Sequence, residues 1–169
     1  MFQKLRTDLT KKLFPIKLLL VNADGFLREN RPSYQLRNSR LDDGYEVRAL
    51  RKLGVLCVAF STKNSEALFS IIDRLGMEAL HQGVLHKSSL YSKVKFECSV
   101  LDKEIAFVCG DSSDISIIEK ANFSVAPANA PLEVKTRSYY VTYGVGEEAV
   151  REVAELILKA KNRSGILCV

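Results

Sequence analysis

Three short runs constrain the fold more than anything else in the chain: IKLLLVN over residues 16–22, VLCVAF over 55–60 and IAFVC over 105–109. A strand with one wet face alternates apolar and polar residues, whereas these runs are almost continuously apolar. Such strands must be covered on both faces, and the text between them supplies the cover, with helical periodicity over residues 65–75 and 147–161. The expectation is an α/β domain with a mostly parallel sheet and helices on both faces. The remaining elements predicted are helices over 42–53, 88–97 and 114–120 and short strands over 79–82, 123–126 and 139–142. Asp42 or Asp43 would cap the first of these helices, while Gly54 and Gly76 would close the helices that precede them. Residues 26–41 are polar and irregular and read as a loop or a weak hairpin. The organisation expected is an N-terminal amphipathic helix over 1–15, one domain over 16–162 and a polar tail over 163–169.

Several function classes drop out on composition. The 169 residues are 47% hydrophobic and 27% charged, ordinary usage for a soluble globular domain. The formal charge of +5 is scattered along the chain, which leans towards anionic ligands but does not support a nucleic-acid partner. No apolar run approaches the roughly 20 residues of a membrane span, so no membrane partner is expected. The first helix carries Phe2, Leu5, Leu9 and Leu13 with basic residues between them, which fits a surface helix docked on the domain better than a signal peptide. Cys57, Cys98, Cys109 and Cys168 show no metal-binding spacing and read as reduced thiols of a cytoplasmic protein.

In open parallel sheets ligands bind beyond the C-terminal strand ends. The strand ends here carry Asn22 and Asp24, then Ser61, Thr62 and Lys63, then the turn Gly110-Asp111-Ser112-Ser113-Asp114, with Lys87 ahead of a helix. Each has an ordinary explanation alone: Asp24 before Gly25 suits a turn, Ser61 and Asp114 can cap helices, and Lys87 can be a solvated lysine. Their joint placement is what points to chemistry. Carboxylates suit Mg²⁺, and a hydroxyl with a lysine suits phosphate oxygens.

Those residues resemble the motifs of the haloacid-dehalogenase (HAD) phosphatases. The HAD-like opening Asp-x-Asp-Gly reads Asn22-Ala23-Asp24-Gly25 here. The similarity is to the capless sugar-acid branch that includes the 3-deoxy-D-manno-octulosonate 8-phosphate phosphatases. It extends to the phosphatase-like C-terminal domain of acylneuraminate cytidylyltransferase, whose first motif also carries asparagine. Supporting matches are Asp43-Gly44-Tyr45, Gln82-Gly83 before Lys87, Glu119-Lys120, and Ala149-Val150-Arg151-Glu152-Val153. The resemblance implies a HAD-like Rossmannoid fold without a large cap domain. It implies Mg²⁺ as cofactor, a phosphorylated sugar acid or phosphate as ligand, and a homo-oligomer. It puts the nucleophile position on Asn22, the general acid and base on Asp24, and phosphate binding on Ser61 and Lys87. The metal ligands would be the Asp24 backbone carbonyl, Asp111 and Asp114.

The departures from that pattern carry the functional expectation. An amide oxygen at residue 22 is a poor nucleophile, and the missing carboxylate also removes charge from a metal site. Where the family reads Gly-Asp-Asp, an ungapped register sets Cys109-Gly110-Asp111 and puts Gly110 at the metal-ligand position; a one-residue gap would put Asp111 there. Val145 and Glu148 stand for glycines before the last helix, and the segment after Asp24-Gly25 is shorter than the pattern. Two readings follow: a catalytically inactive phosphatase-like protein kept for ligand binding or assembly, or a working Mg²⁺-dependent phosphomonoesterase using water with Asp24 as base. The sequence favours the first, because losing a covalent nucleophile costs on the order of 10⁶ in kcat.

Overall fold

A run such as Leu18-Leu19-Leu20-Val21 can be buried throughout only if successive side chains find cover on opposite sides of the sheet. The computed structural model, which describes residues 2–27 and 44–167, shows how this is met. Six strands lie in one wholly parallel sheet: β1 (Leu18–Asn22), β2 (Leu56–Phe60), β3 (Ala79–His81), β4 (Ile105–Val108), β5 (Phe123–Ala126) and β6 (Tyr140–Val141). Their order is β3-β2-β1-β4-β5-β6. Among the described residues the helices are α1 (Phe2–Leu13), α2 (Tyr45–Lys52), α3 (Glu66–Leu75), α4 (Lys87–Glu97), α5 (Ile115–Ile118), α6 (Leu132–Arg137) and α7 (Glu147–Leu167).

The burial follows the pleat. Leu19, Val21, Cys57, Ala59, Ala106 and Val108 form one core with Leu13 of α1, Val47 and Leu50 of α2, Leu68 and Ile72 of α3, and Val153 and Ile157 of α7. Their immediate neighbours Leu18, Leu20, Val58, Phe60, Ile105 and Phe107 face the other way, onto Leu90, Tyr91 and Val94 of α4, Ile117 of α5 and Val134 of α6. α1 docks on the domain as expected. Asn122 holds its end by donating to the carbonyls of Lys12 and Lys103 at 3.0 and 2.9 Å, and Lys12 Nζ donates back to the Asn122 carbonyl at 2.8 Å.

Some expectations shift at the edges. α7 runs on through residues 163–167, read from sequence as tail, and α6 was not foreseen. The segment at 114–120 is only a single α-turn after a 3-10 turn over Ser112–Asp114. The loop or hairpin expected at 26–41 and the caps Asp42 and Asp43 lie outside the described residues, apart from Phe26 and Leu27 in a 3-10 turn. Among the described residues there is no separate cap domain, and no helix is long and apolar enough to cross a membrane. Cys57, Cys98 and Cys109 are free thiols, and Cys168 lies outside the described residues.

α2 starts directly after Gly44, whose φ of 78° is left-handed and which offers no side-chain cap. A Cβ there would come within 2.7 Å of the Leu75 carbonyl oxygen, because the start of α2 crosses the end of α3 backbone to backbone. Gly54 has a similar φ of 86° but open space around it. Gly54→Ala should therefore cost only left-handed strain, about 1–2 kcal/mol. Gly44→Ala should cost clearly more, since two backbones must also separate; urea unfolding of the two variants measures the difference.

Candidate functional site

The strand order reverses direction at β1, so the crevice between the ends of β1 and β4 is the topological switch point. Register pairs Val21 with Val108 and Asn22 with Phe60, which delivers Asn22, Ser61 and Gly110 to the same edge of the sheet. The three segments that the sequence singled out do converge there, in one hydrogen-bonded chain.

One half of that chain is built around Asp24. Its Oδ1 accepts from the Ser61 hydroxyl at 2.7 Å and from the Thr62 backbone N–H at 2.9 Å, while Oδ2 accepts from the Thr62 hydroxyl at 3.0 Å. Ser61 Oγ in turn accepts the Lys63 N–H at 3.0 Å. The hydroxyl and the two loop amides that would serve a phosphate are thus turned onto protein acceptors.

The other half centres on Asp114, whose relative exposure is 0%. Its Oδ2 accepts from Asn22 Nδ2 at 2.8 Å, from the Gly110 N–H at 2.6 Å and from the Asp111 N–H at 3.3 Å. Its Oδ1 lies 2.9 Å from Lys87 Nζ without the angles of a directed hydrogen bond, so that contact is an ion pair. Lys87 also donates to Asp111 Oδ1 at 3.2 Å and to Ser113 Oγ at 2.6 Å, so its ammonium is held by two hydrogen bonds and one ion pair. Ser113 donates its N–H to Asp111 Oδ1 at 2.9 Å, and its hydroxyl hydrogen-bonds the same oxygen. Asn22 joins the halves, because its Oδ1 accepts the Asp24 backbone N–H at 3.0 Å. These two bonds also fix which end of the amide is which.

Gly110 sits against Asn22. A Cβ on it would lie 2.9 Å from Asn22 Nδ2 and 3.1 Å from Cγ, and its φ is not left-handed. What keeps a side chain out at residue 110 is therefore the Asn22 amide, not backbone strain. The Asp111 carboxylate is engaged by Lys87 and Ser113.

Burial pulls the Lys87 ammonium down, but the carboxylates of Asp114 and Asp111 outweigh it and hold its pKa above the ordinary lysine value. Burial pushes the Asp111 carboxyl up, yet the Ser113 hydrogen bonds and Lys87 hold it below the usual aspartate range.

Mg²⁺ takes about six oxygens in near-octahedral array. Asp114 Oδ2 is ringed by three N–H donors, and Asp111 Oδ1 is occupied by Lys87 and Ser113. Among the described residues no group of three or more His, Cys, Asp or Glu side chains is placed to hold a metal ion. In this arrangement the Asp111 and Asp114 carboxylates expected to bind Mg²⁺ are engaged by protein donors and do not fit it as they stand. The sequence missed this closure because Thr62, Ser113 and the Asn22 amide read there as members of a site and not as partners of Asp24, Asp111 and Asp114.

Because breaking a buried ion pair leaves a charge uncompensated, Lys87→Met should destabilise the fold by about 3–5 kcal/mol. A merely solvated lysine would cost almost nothing; equilibrium unfolding in urea separates the two. The raised lysine and lowered aspartate also set the window: the pair's stabilisation is present above the unfolded Asp pKa and fades as pH falls through Asp111's lower folded value. At the alkaline end it is complete below the unfolded Lys pKa and fades as pH rises through the raised value of Lys87.

No protein-family model matches the chain. It is 26% identical over 162 residues to the 3-deoxy-D-manno-octulosonate 8-phosphate phosphatase of Escherichia coli, covering 92% of this chain and 86% of that enzyme. The cobalt-bound form of the deoxy-D-mannose-octulosonate 8-phosphate phosphatase from Haemophilus influenzae matches with a TM-score of 0.76 at 25% identity, covering 92% of this chain and 94% of that one. A putative HAD-superfamily hydrolase from Legionella pneumophila shares the fold, with a TM-score of 0.78 at 24% identity over 96% of this chain and 93% of that one. The chain thus has the HAD-like fold, and along nearly its whole length it is similar to the sugar-acid phosphatases of that superfamily.

Proposed function

We propose that this chain is a phosphatase-like protein that has given up phosphoryl transfer and is kept for ligand binding or for assembly as a homo-oligomer. The observation that carries this reading is the state of Asn22: its oxygen accepts the Asp24 N–H and its nitrogen donates to Asp114. A group at the nucleophile position must present a free, electron-rich oxygen to phosphorus. Here the position carries an uncharged amide with both ends engaged. A side chain at residue 110 would start against the Asn22 amide, where a shared metal ligand would stand beside residue 22, which favours the ungapped register and the loss of a metal-ligand carboxylate at residue 110.

The relatives' names make a phosphorylated sugar acid the first ligand class to test, with Ser61 and Lys87 as the phosphate-binding pair. Such a ligand would have to draw Lys87 from Asp111 and Ser61 from Asp24. The competing reading, hydrolysis by water with Asp24 as base, rests on the retained Asp24. Its carboxylate already accepts three hydrogen bonds from Ser61 and Thr62, which leaves little of it to receive a proton from water.

Purified protein with magnesium should show no measurable hydrolysis of p-nitrophenyl phosphate or 3-deoxy-D-manno-octulosonate 8-phosphate. Turnover near the enzyme median of about 10 s⁻¹ would overturn the proposal. Restoring Asn22→Asp together with Gly110→Asp should produce phosphatase activity above background, and either change alone should not, since catalytic groups acting as a unit are strongly non-additive. Gly110→Asp alone should also lower stability, because its Cβ meets the Asn22 amide.

A further inference from the structure

The two residues that depart from the acidic set of the resembled family, Asn22 and Gly110, both donate to Asp114 Oδ2, and a Cβ on Gly110 would meet the Asn22 amide. Asp114 itself is a carboxylate with no exposure at all, and a buried charge must be paired or its group neutralised. In a cation-dependent centre a divalent ion supplies the counter-charge, and carboxylates crowd around it. Around Asp114 the compensation comes from elsewhere. The Asn22 amide nitrogen and two backbone N–H groups converge on Oδ2, and the Lys87 ammonium closes on Oδ1.

The space is used up as well as the charge. The Asn22 nitrogen lies within hydrogen-bond distance of Oδ2, and only the missing side chain of residue 110 lets the β4 turn close onto that amide. A cation between the ends of β1 and β4 would have to displace the Asn22 N–H from Asp114 and open the contact with Gly110.

We propose that the Asn22 amide and the Lys87 ammonium together replace a divalent cation as the counter-group of Asp114, so that this centre folds and holds its geometry independently of metal. The inference rests on the reading of Asn22 as a degenerate nucleophile position, but it makes a separate claim, about stability and not turnover. It assigns Asn22 a positive role as a positioning residue. An aspartate at 22 would face Asp114 as a second buried carboxylate with no N–H to offer, and the centre would then need a cation.

Thermal unfolding of the wild-type protein, Asn22→Asp and Asn22→Ala, each in excess EDTA and in excess magnesium, tests this. The wild-type midpoint should be the same in both. Asn22→Asp should unfold at least about 3 °C lower than wild type in EDTA and recover in magnesium, a shift well resolved at this chain length. Asn22→Ala should be destabilised in both, since it loses the N–H without gaining a ligand; rescue of this variant by magnesium would mean the effect is not at residue 22 and would overturn the proposal. So would a wild-type midpoint raised by about 3 °C or more in magnesium, or an Asn22→Asp variant as stable as wild type in EDTA. Should Asn22→Asp not fold, Mn²⁺ titration of the wild type followed by electron paramagnetic resonance decides: bound Mn²⁺ overturns the proposal and free Mn²⁺ throughout supports it. Metal-dependent stability without hydrolysis would sink this inference alone, whereas hydrolysis by the wild type would sink the inactive-phosphatase reading.

Discussion

The polar centre of this fold depends on one buried carboxylate. Asp114 sits at the C-terminal edge of the sheet with no exposure, and every neighbouring group is arranged to compensate it. The turn after β4 coils so that the N–H groups of Gly110 and Asp111 point at it, β1 ends in an amide that donates to it, and α4 begins at a lysine that pairs with it. Two carboxylates about 3 Å apart would repel by on the order of 5 kcal/mol even at an effective dielectric near 20. Asparagine at 22 therefore relieves a conflict that an aspartate would raise unless a cation stood between the two.

That compensation links the two halves of the crevice. Asn22 has one donor end and one acceptor end, so it hands the network from Asp114 to the Asp24 backbone, and Asp24 hands it to Ser61 and Thr62. A carboxylate at 22 would have two acceptor ends and could not donate to Asp114. The same amide joins the ends of the network, donating to Asp114 and accepting from the Asp24 backbone. The scaffold is shared with the solved Haemophilus influenzae protein, which is a cobalt-bound form.

Much of the architecture was legible in the text of the chain. The continuous apolar character of residues 55–60 and 105–109 required cover on both faces, and the structure divides those runs residue by residue between two cores. The strand-end residues were legible too, because parallel topology leaves only one edge where Asn22, Ser61 and Gly110 can meet. Helix α6 was not: it buries only Val134 and so leaves almost no periodic trace. The extension of α7 past residue 162 was equally hidden, since Ser164 and Gly165 are weak helix formers and read as the start of a tail.

By itself the sequence determined the layer architecture, the order of the strand-end segments and the identity of the amide at residue 22. Hydrophobic periodicity and residue chemistry are local properties, readable one segment at a time. Only the tertiary structure decided what those groups do to one another. That Lys87 is held between Asp111, Ser113 and Asp114 depends on approaches of 2.6–3.2 Å between residues far apart in the chain. Hydrogen bonds and ion pairs of buried groups are decided over tenths of an ångström, and no spacing along a chain encodes that.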